Sequence, residues 1–133
     1  MQQSPYTFTQ HDLRIGNVVN YPLAEGEFIP ATMDWEDLKM LEEEPEYFND
    51  IHSPIPVTVE MVENVGYIAD QHLEDVFIMP NSKGFVALRN GKWNYVIGNF
   101  ICNIKIPFDY LHELQNLHYD FTREMLTLKS KEK

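Results

Sequence analysis

The chain has 133 residues, a length that suits one domain over residues 1–133. Apolar residues make up 44% and charged residues 23%, as in ordinary soluble globular proteins, and 13% aromatic residues argue against disorder. The 21 acidic and 10 basic side chains give a net charge of −11, which excludes bare nucleic acid and anionic membranes as expected partners because both are bound through Lys and Arg.

The first half of the chain predicts short elements after a loose lead-in over residues 1–11. Residues 13–21 are good strand formers, and residues 27–33 return as a second strand. Residues 34–44 predict a short helix, because apolar side chains recur every three residues behind an aspartate that can cap it. Pro45 is expected to end this helix.

The middle of the chain predicts a polar loop, a short helix and an antiparallel meander. The loop is expected over residues 46–53, and the helix over residues 59–65 with Thr58 as its cap. Asn90-Gly91 between two apolar runs is a strong signal for a type I′ hairpin. The predicted strands are residues 76–79, 85–89, 92–97 and 100–106.

The last element is a helix predicted over residues 109–126, with an apolar stripe on the 3.6-residue period. Residues 128–133 are expected to form a basic, frayed tail. The whole pattern predicts an α+β fold, in which a small bent antiparallel sheet, SH3-like in its curl, packs against this C-terminal helix. The strand at residues 13–21 is expected to join the later meander.

Three segments together resemble a known family. They read LRIGN at residues 13–17, PIPVT at residues 54–58 and YLHELQNL at residues 110–117. This arrangement resembles small uncharacterised proteins of phages and prophages of Bacteroidetes-type bacteria. The chain departs from that pattern at Val57, where the family has leucine, and at Arg123, where it has glycine. The resemblance implies a mobile-element origin and no particular chemistry.

Residue spacing predicts no cofactor, no metal site and no catalytic residue. His112 and His118 lie six residues apart, so they point about 120° apart on a helix and do not share a metal. The phosphate-binding glycine loops and the nucleophile elbow are absent from the sequence. Cys102 has apolar neighbours and is interpreted as a core residue, and a single cysteine suits a reducing compartment.

One face of the last helix is a candidate binding surface. It contains His112, Gln115, Asn116 and Tyr119 at i, i+3, i+4 and i+7, which places four hydrogen-bonding side chains in one row. Such a row suits a partner or a ligand. The favoured alternative is that Gln115 and Asn116 hydrogen-bond the backbone of neighbouring loops.

The second candidate surface is the acidic segment, residues 34–50, which holds eight carboxylates and one lysine. The first interpretation is a solvated face. The second is mimicry of a phosphate backbone, with aromatic anchors in the interface; calcium binding is the third, although the acids lack the spacing of a calcium loop. The candidate residues of this segment are Trp35, Glu42, Glu43, Glu44, Tyr47 and Phe48.

These features lead to two main functional hypotheses, beside a third in which the protein is a minor structural or self-associating one. The first is a non-enzymatic interaction module that binds a host or phage protein, basic or nucleic-acid-binding, in the host cytoplasm and inhibits it. The first ten residues are not typical of a signal peptide, which agrees with that compartment. The second is a small-ligand binder or small enzyme with a pocket between the sheet and the C-terminal helix that contains His112 or Tyr119.

Overall fold

The computed structural model describes residues 6–24, 27–80, 84–98 and 103–128. Helices and antiparallel strands follow one another in separate groups along it, which confirms the α+β class. Backbone contacts divide the chain into two compact units. The first unit comprises Met1–Pro56 with Tyr110–His112, and the second comprises Val57–Asp109 with Glu113–Lys133.

The first unit contains a two-stranded hairpin and two helices. Strand β1, Val18–Ala24, pairs antiparallel with β2, Glu27–Thr32. The expected membership of residues 13–21 in the later meander is therefore wrong, because the hydrogen-bonding partner of β1 is the strand that directly follows it. Helices α1, Trp35–Glu43, and α2, Pro45–Ile51, come next.

Helix α2 occupies most of a segment for which the sequence predicted a loop, and that prediction is wrong. The first backbone N–H groups of a helix have no hydrogen-bond partner within it, so a proline, which lacks an N–H, is tolerated at the first position. Pro45 therefore begins α2 directly after α1 ends. Phe48 supplies the buried side chain of α2, and Leu41 that of α1. The two helices thus bring their apolar residues into one core.

The core of the first unit includes a residue from the predicted lead-in. Phe8 is only 1% exposed and belongs to a buried cluster from the lead-in, the hairpin and both helices. The members of this cluster are Phe8, Leu13, Val19, Met33, Leu41 and Phe48. The segment before residue 11 is therefore part of the packed structure from Tyr6 onward, since Tyr6 packs against the same cluster.

The second unit contains a five-stranded antiparallel meander with sequential strand order. Helix α3, Val59–Asn64, precedes it, as predicted, with Thr58 accepting a hydrogen bond from the backbone N–H of Met61. The strands of the meander are β3 (Ile68–Ala69), β4 (Val76–Ile78), β5 (Phe85–Arg89), β6 (Lys92–Gly98) and β7 (Asn103–Phe108). The SH3-like curl stays a prediction.

Helix α4, Leu111–Thr122, follows the meander; its first two residues belong to the first unit. In the second unit it contacts the sheet, since the rings of Phe121 and Tyr95 on β6 stack with centroids 5.8 Å apart. The helix ends four residues before the predicted Leu126, because Arg123 adopts a left-handed φ of 67°.

Several predictions concern residues outside the described ranges: the start of the last strand, the burial of Cys102 and the basic tail beyond Leu128. Within the described residues, the longest helix is α4 with 12 residues, and none of the helices has the length and apolar character needed to cross a membrane.

Candidate functional site

The first unit carries a groove of about 970 Å³. One wall is the segment 6–10, and the others come from β1, β2, the end of α1, and α2 with the residues after it. Among its lining residues, those used below are Tyr6, Phe28, Glu42, Glu46, Asn49, Asp50 and His52. The groove therefore uses the same helices that contain the acidic segment.

Asn49 on α2 holds the wall formed by residues 6–10 in place. Its Oδ1 accepts a hydrogen bond from the backbone N–H of Phe8 at 2.7 Å, and its Nδ2 donates to the carbonyl oxygen of Phe8 at 3.1 Å. Nδ2 also donates to the carbonyl oxygen of Pro45 at 2.8 Å, one turn earlier in α2. A single amide thus bonds both the N–H and the carbonyl oxygen of one residue, Phe8.

The start of α1 is fixed by a capping box. The side chain of Asp34 accepts from the backbone N–H of Asp37, and the side chain of Asp37 accepts from the backbone N–H of Asp34. The backbone bond from Asp37 lowers the pKa of the Asp34 carboxyl, whereas burial is the main cause of the raised pKa of Asp37. This box sets where α1 begins and hence which of its residues line the groove.

Three exposed carboxylates line the groove, namely Glu42 at the end of α1 and Glu46 and Asp50 on α2. Glu46 and Asp50 are four residues apart, so they share one helix face. The lining residues that the structure describes include no Lys and no Arg. A concave surface with charges of one sign concentrates their field, so this groove attracts cations.

Aromatic rings form a part of the apolar lining of the groove. Phe28 on β2 is 58% exposed, which leaves its ring open to solvent. The Tyr6 ring packs edge-on against Phe8 with centroids 5.3 Å apart. Rings of this kind bind apolar stems and flat cationic groups, and the groove therefore combines negative charge with stacking surfaces.

His52 is the one imidazole that lines the groove, among the residues described there. Its Nδ1 lies 2.9 Å from the carbonyl oxygen of Phe48, and its ring stacks on the Phe48 ring with centroids 4.0 Å apart. Burial lowers the pKa of His52, and the Phe48 carbonyl and the charge of Asp37 oppose this shift. The hydrogen bond and the stacking thus hold the ring in one orientation, and burial favours its neutral form.

The structure separates the candidate residues of the acidic segment. Glu42 lines the groove, and Phe48 is fully buried in the core beneath it. The other four are exposed and are not among the residues that line the groove: Trp35, Glu43, Glu44 and Tyr47. Trp35, 62% exposed, contacts the Lys39 ammonium at 5.6 Å from its ring centroid.

The candidate row on α4 is not an exposed face. His112 and Gln115 are buried, and Asn116 and Tyr119 are half-buried. Gln115 donates from Nε2 to the carbonyl oxygen of Leu126 at 2.8 Å, which agrees with the favoured interpretation that its amide ties down a neighbouring segment. Neither His112 nor Tyr119 lines the groove, so the small-ligand hypothesis stays a prediction.

Sequence reasoning missed Tyr6, Phe28, Asn49 and His52 as parts of one site. The i, i+4 spacing of Glu46 and Asp50 would have placed both carboxylates on one helix face, but the sequence predicted a loop there instead of a helix. Among the described residues, no three His, Cys, Asp or Glu side chains are arranged to hold a metal ion. Comparisons with protein-family models, with curated proteins and with solved structures give no match.

Proposed function

We propose that this protein is a non-enzymatic binding module that takes a cationic segment of a partner protein into the groove of its first unit. The observation that supports this proposal is the charge of the groove lining. Glu42, Glu46 and Asp50 line the groove, and its described lining residues include no Lys or Arg. A basic or nucleic-acid-binding protein of the host or of a phage is the proposed partner, and the cytoplasm is the proposed compartment.

Charge and shape both support a protein segment as the ligand. The groove volume of about 970 Å³ is large enough for several side chains of a peptide. Carboxylates at its rim attract cations over a distance of about 8 Å at physiological salt, which speeds encounter. Phe28 offers an exposed ring for the apolar stems of long basic side chains.

The test uses two fluorescein-labelled peptides of twelve residues, in which either arginine or lysine alternates with serine. They are called the Arg-peptide and the Lys-peptide, and their affinities are measured by fluorescence anisotropy. In the groove variant, Glu42→Gln, Glu46→Gln and Asp50→Asn remove three charges without changing side-chain shape. We expect its affinity for the Arg-peptide to fall by at least about ten-fold, the equivalent of about 1.4 kcal/mol.

The matched control removes the same number of charges from the second unit through Glu60→Gln, Glu63→Gln and Glu74→Gln, all exposed positions. We expect less than about a two-fold change there, because separated surface charges are screened by salt. Equal losses in both variants would mean that net charge alone attracts the peptide. That result, or no binding to the wild-type protein, would refute the groove as the binding site.

A further inference from the structure

We propose that His52 makes the groove selective for arginine over lysine, with its Nε2 accepting a hydrogen bond from the guanidinium of the bound segment. This inference rests on the proposed function and specifies the ligand chemistry of the same groove. It depends on the contacts of the His52 ring, on the nearby carboxylates and on the geometry of the two basic side chains.

The tautomer of His52 follows from its hydrogen bond. A backbone carbonyl only accepts, so the Nδ1 that lies 2.9 Å from the Phe48 oxygen carries the proton. In a neutral ring the Nε2 then has a free lone pair and is an acceptor. Within the described residues, the Phe48 carbonyl is the hydrogen-bond partner of this ring, and it engages Nδ1 alone.

Packing keeps that acceptor in place. His52 is only 7% exposed, stacks on Phe48 and has the Tyr21 ring 5.5 Å away, so its side chain does not turn freely. Nevertheless it is among the residues that line the groove. An imidazole that is fixed through its Nδ1 and lines a groove keeps its second nitrogen for a donor on a ligand.

The surroundings of His52 favour a guanidinium as that donor. Asp50, in the last turn of α2, also lines the groove, so the groove lining offers a carboxylate as well as the imidazole acceptor. A guanidinium has five N–H groups in one plane and can bond a carboxylate and a second acceptor together. The lysine ammonium is a compact, strongly hydrated charge, which makes it more costly to bring against a side chain that is only 7% exposed.

Substitutions that mimic one ring nitrogen at a time test this assignment. In His52→Asn the amide can still donate to the Phe48 carbonyl, but nothing replaces Nε2. In His52→Gln the longer amide places an acceptor near the former Nε2. We expect the wild-type protein and His52→Gln to bind the Arg-peptide about ten-fold more tightly than the Lys-peptide, and His52→Asn to bind both about equally.

A measurement on the unmodified protein covers the case in which a variant does not fold. The ¹⁵N resonance of the His52 Nε2 should shift on addition of the Arg-peptide, because its lone pair enters a hydrogen bond, and should shift less with the Lys-peptide. Equal binding of both peptides, with the loss in the groove variant retained, would overturn the arginine selectivity and leave the proposed function standing. No binding of either peptide would overturn both.

Discussion

Three histidine side chains are buried in the described structure: His52, His112 and His118. Burial lowers the pKa of each of them, because the charged ring loses its hydration. His112 shows the largest effect and is only 1% exposed. Its Nε2 lies 2.9 Å from the Tyr6 hydroxyl, and its Nδ1 has no hydrogen-bond partner among the described residues. Buried neutral imidazoles make a fold sensitive to acid.

We expect His112 to weaken the fold below neutral pH. Its pKa is about 4 in the folded protein, against an ordinary value of 6.5, with burial as the cause and the charge of Asp12 opposing it. The neutral ring therefore favours folding above pH 6.5, and this contribution is lost as the pH falls from 6.5 to 4. The loss amounts to about 3 kcal/mol at 1.36 kcal/mol per pKa unit.

Urea unfolding of the wild-type protein and His112→Gln between pH 7 and pH 4 measures this loss. The glutamine keeps a polar group near the Tyr6 hydroxyl and does not titrate, so the free energy of unfolding should depend less on pH. His11→Gln, at an exposed position, is the control and should follow the wild-type curve. A His112→Gln curve parallel to the wild type would contradict the prediction.

The ends of the helices and the turns of the hairpins show how far local chemistry specifies the elements. The Asp34 capping box and the Thr58 cap begin α1 and α3 where the sequence predicted. Asn90 and Gly91 form the predicted turn between β5 and β6, with φ values of 54° and 75°. At the end of α4, by contrast, Arg123 occupies the left-handed position that favours glycine.

In the β5–β6 turn, an alanine at position 91 tests the cost of the backbone conformation without any steric contact. A Cβ at Gly91 would meet nothing within 4 Å, so Gly91→Ala changes only the cost of the left-handed backbone. We expect it to lower the free energy of unfolding by about 1 kcal/mol. Asn90→Gly is the control and should change it by less than about 0.5 kcal/mol, since asparagine already tolerates this conformation.

Both variants are measured by urea unfolding monitored by circular dichroism. An alanine at position 91 that leaves the midpoint unchanged would show that the turn relaxes to another conformation. The hairpin joins two strands of the five-stranded sheet, so a change in the stability of the turn changes the free energy of unfolding of the second unit.

Net charge acts on the molecule as a whole. The chain carries −11, and the described carboxylates of residues 34–50 are mostly exposed. Repulsion among like charges destabilises a compact state, because folding brings them closer than in the unfolded chain. In the proposed function this excess of negative charge helps the groove to attract a cationic segment, whereas it lowers the stability of the fold itself.

We therefore expect the thermal midpoint to rise with NaCl. The distance over which charges interact falls from about 30 Å at 0.01 M salt to about 8 Å at 0.15 M, so repulsion across the molecule is screened. A gain of about 1 kcal/mol would raise the midpoint by about 3 °C in a chain of this size. Differential scanning fluorimetry at several salt concentrations measures it.

The variant with Glu60→Gln, Glu63→Gln and Glu74→Gln provides the comparison. It carries three fewer negative charges, so its midpoint should rise less over the same range of salt. A wild-type midpoint that stays constant or falls with salt would mean that favourable ion pairs outweigh the repulsion.

The features that the sequence predicted correctly are those set by interactions between residues close together in the chain. The class of the fold, the β5–β6 hairpin, α1 and α3 all follow from caps, turn residues and apolar periodicity, which act over a few residues. The same information predicted the acidic segment, but not the groove into which part of it folds. Glu42 was predicted as a binding residue, whereas Asn49 and His52 were not.

Contacts between distant residues decided the remainder. Phe8 and Asn49 are 41 residues apart, and Tyr6 and His112 are 106 apart, yet each pair is hydrogen-bonded. The burial of Gln115 and the position of His52 at the groove depend likewise on which elements meet. Periodicity along a chain says which face of an element is apolar, but burial and partner choice are set by packing across the core, and so the site appears only in the folded molecule.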